Sequence, residues 1–367
     1  MYSSTHLTNQ LAATFFLDGS ISGDMIDHSE KKLSVRNIFG REDEGRLRYL
    51  APLSESRRNY FYVDYGYRRV LSAEYNDHVY QLIARGNSMF AGRTANANNT
   101  WYGNLQYDQL QAGWMGYFSV GGRASNLSVG VGLVRGISNF MLDAEYALFY
   151  TDTLGEYVDL DMKYKARKSN YNPAFGGTGA LLDVQWNILL SENGALSVSL
   201  SDLGLIRWNT LGIQYDGDTA FRYGGPYFSG RDGMKDIEAG IGDSLISVFK
   251  PVYREASYTT YIPARFRVAY TFLLRSSDFL EFEVNDRIFG AYRMQIKGSW
   301  QHFFRKKCYL KSTLSFGGFG SVNLVEEVGA QFGKGWGAMA TLYGIESMLL
   351  PKQMAGMGLY LGFSKRL

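Results

Sequence analysis

The sequence predicts an all-β protein: a transmembrane antiparallel β-barrel of about fourteen strands, or sixteen if two weaker candidates count, with short loop or plug helices. Three observations carry that expectation. Tyr 27, Phe 23 and Trp 6 accompany only Pro 6 in 367 residues, a composition suited to strands and to aromatic girdles at a membrane interface. Apolar and polar side chains alternate over segments of about ten residues, the length a tilted strand needs to cross hydrocarbon. No run of about 18 apolar residues occurs, so a helix is not the spanning element.

The alternation is clearest in the C-terminal half. Ile262, Ala264, Phe266, Val268, Tyr270, Phe272 and Leu274 share one face, while Arg265, Arg267 and Thr271 share the other. Tyr292, Met294, Ile296 and Trp300 oppose Arg293, Gln295, Lys297, Ser299 and Gln301. Cys308, Leu310, Leu314 and Phe316 oppose Tyr309, Lys311, Thr313 and Ser315, which makes the single cysteine a small apolar-face residue with no disulfide partner. Upstream, Val158, Leu160, Met162 and Tyr164 alternate with Asp159, Asp161, Lys163 and Lys165, a face that only water or ion pairing could accept. Candidate strands fall near 112–120, 126–136, 140–151, 156–166, 180–190, 194–202, 204–215, 263–274, 279–288, 291–302, 308–317, 321–332, 336–346 and 356–365. Residues 10–17 and 58–70 are the weaker candidates. A soluble sandwich would alternate too. Large aromatics near strand ends, the number of strands and a closing C-terminal strand favour the barrel, whose ring leaves no backbone edge in lipid.

Two segments have helical spacing instead. Tyr75, Val79, Leu82, Ile83 and Phe90 form one such set in 74–90, and Ile237, Ile241, Leu245 and Phe249 form another in 235–249. Each is expected to lie on the barrel rim, with a plug in the lumen as the alternative. The Gly-rich stretch 216–261 is expected to be a large extramembrane loop. This reading divides the chain into an N-terminal segment, 1–111, with one or two strands and a helix, and a barrel, 112–367. The first residues show no charged segment followed by an apolar one, so export to an outer membrane implies a signal peptide already removed.

A net charge of +3, with basic residues scattered, gives no reason to expect a nucleic-acid partner. His6, His28, His78 and His302 lack metal-ligand spacing, and Asp216 and Asp218 lack the terminal glutamate of a calcium loop. The glycines of LSVGVGLVRG at 127–136 lie in a strand without a following helix, so they do not cradle phosphate. The carboxylate pairs Asp159/Asp161 and Glu281/Glu283 read as parts of a mixed-charge lumen wall. No catalytic residue, metal or cofactor is expected, and the protein is not expected to be an enzyme.

Two stretches carry a resemblance. VYQLIARGNSMFAGR at 79–93 supplies Gly86, Asn87, Phe90, Ala91 and Gly92, and SLSDLGLIRWN at 199–209 supplies Asp202, Leu203, Gly204 and Trp208. Together with the glycine-rich strand they resemble a family of uncharacterised outer-membrane barrels of the Bacteroidetes, similar in architecture to FadL-like barrels. That resemblance implies an outer-membrane location but no assigned activity. Read on their own, Gly92 and Gly204 suit turns, and Asp202 suits a cap on hairpin backbone. The expected partners are outer-membrane lipid, other outer-membrane proteins or a hydrophobic small molecule. Three functions stay open: a conduit for hydrophobic or amphipathic small molecules, a non-transporting barrel that docks partners in a secretion or assembly machine, and a soluble secreted β-rich binding protein.

Overall fold

The computed structural model describes residues 1–16, 19–169, 176–224, 252–304, 307–333 and 335–366. Among the described residues, nineteen strands form one antiparallel sheet. Fourteen of them make a nearly closed barrel, and the others extend the sheet beyond its wall. Around the ring, β1 (Tyr2–Ser4) pairs with β2 (Asn37–Pro52), β2 with β3 (Asn59–Tyr75), β3 with β5 (Thr100–Val120) and β5 with β6 (Arg123–Thr151). The ladder continues through β8 (Gly177–Ser191), β9 (Gly194–Trp208), β13 (Ala264–Arg275), β14 (Asp278–Ile288) and β15 (Arg293–Phe304). It ends through β16 (Cys308–Gly318), β17 (Val322–Phe332), β18 (Trp336–Tyr343) and β19 (Gly358–Lys365). A single bridge from Tyr2 to Met357, beside the start of β19, completes the circuit.

One end of the barrel has tight turns, including Gly121 and Gly122, whose φ of 57° and 78° suit a two-residue hairpin between twisted strands. The other end has the long connections and the helices. β6 runs past the wall at this end. Its residues 140–151 pair with β7 (Val158–Lys168), which pairs with β10 (Ile213–Tyr223), which pairs with β11 (Val252–Glu255). β4 (Arg93–Asn96) joins the same extension, and β12 (Thr259–Tyr261) pairs with the end of β9.

The wall sorts its side chains by the two-residue period of a strand. Outward positions carry Leu110, Val131, Leu133, Phe282, Ile296, Phe316 and Val328, each more than half exposed. A continuous apolar belt of this size in water would drive association, whereas acyl chains cover it without cost. This outer face argues against the soluble reading.

The strand count of fourteen agrees with the sequence reading, but the membership differs. The candidates 126–136 and 140–151 are one strand, β6, and 194–202 with part of 204–215 are one strand, β9. β7 lies in the extension outside the wall, where Arg222 and Glu145 pair with Asp159 and Lys163. Of the stretch 10–17, expected as a strand, residues 10–16 instead lie in helix α1 (Asn9–Phe16), with Leu11 and Ala12 buried, and residue 17 lies outside the described residues. A short apolar run does not by itself distinguish the two. The boundary at 111/112 has no counterpart, because β5 passes through it and the preceding residues supply β1, β2 and β3 to the wall. The stretch 216–261 is partly strand, as β10, β11 and β12; the helix expected at 235–249 lies outside the described residues.

The expected helix in 74–90 is α3 (Asp77–Arg85), followed by a short 3-10 turn (Asn87–Phe90). The Asn76 side chain caps α3 by accepting the Val79 N–H at 3.1 Å. Val79 packs on Ala97, Ala144 and Ala147, which places α3 on the rim extension. Helix α2 (Gly23–Glu30) binds α3 through Arg85, which pairs with Asp27 and Glu30, and α4 (Ile345–Leu349) packs on β17.

His6 ties this helical layer to the wall. Its ring stands edge-on to Tyr75 and Tyr80, with centroids 5.6 and 4.8 Å away, and both ring nitrogens are buried without a hydrogen-bond partner. Burial pushes its pKa down to about 4 from an ordinary 6.5. The folded value lies below the unfolded one, so the unfolded state binds more protons in between. The contribution is complete above about pH 6.5 and is lost as pH falls toward 4. Protection factors of the amides in α2 and α3, taken against the intrinsic exchange rate at each pH, should therefore fall as pH drops across that interval and stay flat above it, and His6→Phe should abolish the dependence.

Candidate functional site

The lumen is organised by a bulge. Opposite Asp183 of β8, strand β9 carries one extra residue at Ser201 and Asp202, and Asp202 takes a left-handed φ of 61°. The bulge changes which parity points inward. Ser199 and Ser201 line the lumen up to it, with Ser197 accepting from the inward Arg267, and Asp202, Ile206 and Trp208 face the lumen after it. Without that extra residue Trp208 would project into lipid. The Asp202 N–H donates to Asp183 Oδ1 at 2.6 Å, which fixes the turn of the backbone.

Six ionised side chains then meet across the lumen. Arg68 Nη1 of β3 donates to Asp202 Oδ2 at 2.6 Å, and its Nη2 donates to Glu44 of β2 at 3.2 Å. Arg265 of β13 reaches Glu44 at 3.2 Å, Asp202 at 3.8 Å and Glu42 at 3.9 Å, while Arg287 of β14 pairs with Glu42. β2 lies on the opposite wall from β13 and β14, so this belt spans the channel. Three acids balance three arginines. Arg46 and Arg48 extend it on the β2 side, both paired to the fully buried Asp64. Arg68, Arg287, Asp202 and Asp64 are nearly sealed from solvent, where charges persist only when paired, while Glu44, Arg46, Arg48 and Arg265 keep more exposure.

The belt separates unlike spaces. Beside the belt, under β13–β18, lies a polar chamber of about 490 Å³ that has Glu42, Arg265 and Arg287 in its own wall and runs from Tyr2, Tyr292 and Met357 at the loop end toward Glu281 and Lys311. Its wall is again balanced: Glu283 accepts from Arg267 at 2.5 Å and Lys297 at 3.0 Å, and Glu281 accepts from Lys311 at 2.9 Å. The pair Glu281/Glu283 is thus a set of wall ion pairs, as its sequence context suggests.

Under β3–β9 the lumen is filled. A Cβ added to Gly130 would fall 2.3 Å from the Tyr62 hydroxyl, and one on Gly136 would fall 2.7 Å from the Trp208 ring. The glycine-rich strand therefore makes room for side chains from β3 and β9, the strands two places away on either side. Trp208 itself donates from Nε1 to Thr260 at 2.9 Å and stacks on Tyr258 with centroids 6.1 Å apart.

Toward the loop end, just above the belt, lies a vestibule of about 370 Å³ walled by Val70, Trp101, Leu105, Met141, Tyr261 and Phe289. Val70 is the next inward residue after Arg68 on β3, so an apolar stretch of wall begins just past the belt, although Arg167, Asn104, Asn139 and Thr260 line the same space. Tyr261 and Phe289 stack at 4.5 Å. Phe289 takes φ of 70°, a region a bulky residue enters only where its surroundings hold it.

The residues singled out in the sequence separate into two places. Asp202 and Trp208 belong to the lumen, and Gly204 packs inside the β8 ladder, where a Cβ would meet the Ala180 carbonyl at 2.3 Å; Leu203 faces outward. Asp202 is a bulge residue in a charge belt and Gly204 is a strand residue, whereas a hairpin cap and a turn were expected. Gly86, Asn87, Phe90, Ala91 and Gly92 lie on the rim, where Gly86 and Gly92 have φ of 78° and 71° and Phe90 packs on His78. Gly92 does make a turn. Glu42, Glu44 and Arg68 were not singled out, and their only signal is charge at alternate positions. Among the described residues no cluster of His, Cys, Asp and Glu is arranged to hold a metal ion.

No curated protein matches the chain. Among solved structures, the Pseudomonas putida toluene transporter TodX is similar with a TM-score of 0.37 and 7% identity, over 84% of this chain and 83% of that one. The ferric-catecholate import receptor Fiu from E. coli K12 is similar with a TM-score of 0.34 and 9% identity, over 85% of this chain. The chain spans 46% of that receptor's length. Residues 8–335 match the model of a family of unknown function, DUF5723, and the chain belongs to that family.

Proposed function

We propose that this protein is an outer-membrane barrel, FadL-like in use and from the Bacteroidetes by its motifs, that admits a hydrophobic or amphipathic small molecule from the loop end. The molecule lodges in the aromatic vestibule, and the charge belt below bars the way until its ion pairs part. In this reading the barrel is not an enzyme and takes no cofactor. The observation that carries it is an apolar vestibule, of a volume that suits a small ligand, set directly on a balanced belt of ion pairs. Apolar walls reward an apolar body, and the arginines beneath would receive a polar head.

An aliphatic diazirine acid, photolysed on the reconstituted protein, tests this. Labelling should map to the vestibule as well as to the lipid face, and Trp101→Ala should lower vestibule labelling about tenfold through lost apolar contact. Labelling confined to outward residues such as Phe282 would contradict the reading. A second reading, a docking subunit of an outer-membrane machine, is favoured by the sheet extension of β6, β7 and β10, which offers strand surface outside the wall. Under it, copurification from native membranes yields fixed partners; a barrel that always isolates alone argues against it.

A further inference from the structure

The wall has a slot. Among the described residues, β2 residues 43–52 pair only with β3, and β19 residues 359–364 pair only with β18. Their other edges face each other with no ladder between them. β1 closes only the loop-end part of this gap, where Tyr2 pairs with Arg41 on one side and bridges Met357 on the other. The Met1 amino group donates to the Glu42 carbonyl at 2.7 Å, and the Glu42 N–H donates to the Met1 carbonyl, also at 2.7 Å; pairing stops there. In hydrocarbon the open N–H and C=O groups of two edges find no water, so an empty slot is not a stable wall.

The slot specifies what fills it. β2 and β19 both run from the loop end to the tight-turn end, so one strand antiparallel to β18's neighbour and to β2 alike fits between them. β1 already has that direction, and its N-terminus points down the slot. Extending its register puts the first, third and fifth residues ahead of Met1 between Asp43 and Leu359, Gly45 and Leu361, and Leu47 and Phe363. The second, fourth and sixth fall between Glu44 and Tyr360, Arg46 and Gly362, and Arg48 and Ser364. Both edges agree on parity: outward beside Leu47 and Phe363, which are 74% and 79% exposed, and inward beside Arg46 and Arg48.

We infer that the slot is a strand-docking site and that its occupant is the stretch of this chain immediately ahead of Met1, six to ten residues that lengthen β1 down to the tight-turn end. The open edges and the collinear β1 carry the inference, which is independent of what the lumen holds. Its outward residues are apolar, for lipid, and its inward residues are polar or small.

Hydrogen exchange and N-terminal sequencing of the protein isolated from its own membrane test this. The residues ahead of Met1 should be present, and amides of 43–52 and 359–364 should exchange about two orders of magnitude more slowly than in a chain trimmed to begin at Met1. In the untrimmed protein with Cys308→Ser, Leu47→Cys should form an intramolecular disulfide with a cysteine at the fifth position ahead of Met1. That cross-link decides the matter even if the trimmed chain fails to fold. A native chain beginning at Met1, freely exchanging edges, protection that survives trimming because β2 and β19 join directly, or protection that needs a copurifying second chain would each overturn the inference.

Discussion

Asp202→Ala is expected to destabilise the barrel by about 3–5 kcal/mol, because it leaves Arg68, itself buried, without its closest acid and removes one of three acids facing Arg265. Unfolding by urea in lipid vesicles reads this directly. Asp202→Asn keeps the hydrogen-bonding shape but not the charge, and should retain part of the loss. The paired replacement Arg68→Met with Asp202→Asn, which keeps a residue that tolerates the left-handed backbone, should recover most of the stability, since the cost comes from the uncompensated charge. If that double variant is as unstable as the single, the belt is not what holds these walls together.

The second large effect concerns the outer face. Phe282→Arg, near the middle of β14, should cost about 2–4 kcal/mol in a bilayer, while Leu154→Arg, also exposed but in the β6–β7 turn beyond the wall, should stay within about 0.5 kcal/mol. Exposure alone cannot separate the two positions, because Leu154 is 81% exposed and Phe282 62%. Only lipid around one of them does. Equal effects would mean that Phe282 meets water.

How legible this was in the sequence followed from how cleanly each strand divides its faces. From β13 to β19 apolar side chains meet lipid and polar ones meet the chamber, so alternation announces each strand. β2 escapes the same reading because Glu42, Glu44, Arg46 and Arg48 face inward while Arg41, Asp43 and Gly45 occupy the outer parity, leaving Leu47 and Tyr49 as its short apolar signal. β7 misleads in the opposite way: its alternation is real, but period two does not say whether a face meets lipid, protein or water. β6 reads as two strands because its second half leaves the wall for the rim sheet, near the register shift between Gln106 and Tyr107 of β5.

The candidate site was less legible than the wall. The belt draws Glu42 and Arg68 from one hairpin, Asp202 from β9 and Arg287 from β14, and the meeting of these three places depends on ring order rather than on any local pattern. The Asp202 bulge depends on one extra residue relative to β8, which no single-strand pattern contains. Glu281/Glu283 was readable because both carboxylates sit at one parity within a single strand.

The account stands on a ring whose outward side chains meet acyl chains and whose inward ones meet the water of the chamber. Thr313 and Leu314 are adjacent in β16, one lining the chamber and the other 44% exposed on the outer face. With Cys308→Ser as background, spin labels at Thr313→Cys and Leu314→Cys in a reconstituted bilayer should give opposite collision profiles. The label at 314 should be relaxed by oxygen and shielded from a water-soluble nickel chelate, and the label at 313 should show the reverse. Two labels equally open to the nickel chelate would contradict the account.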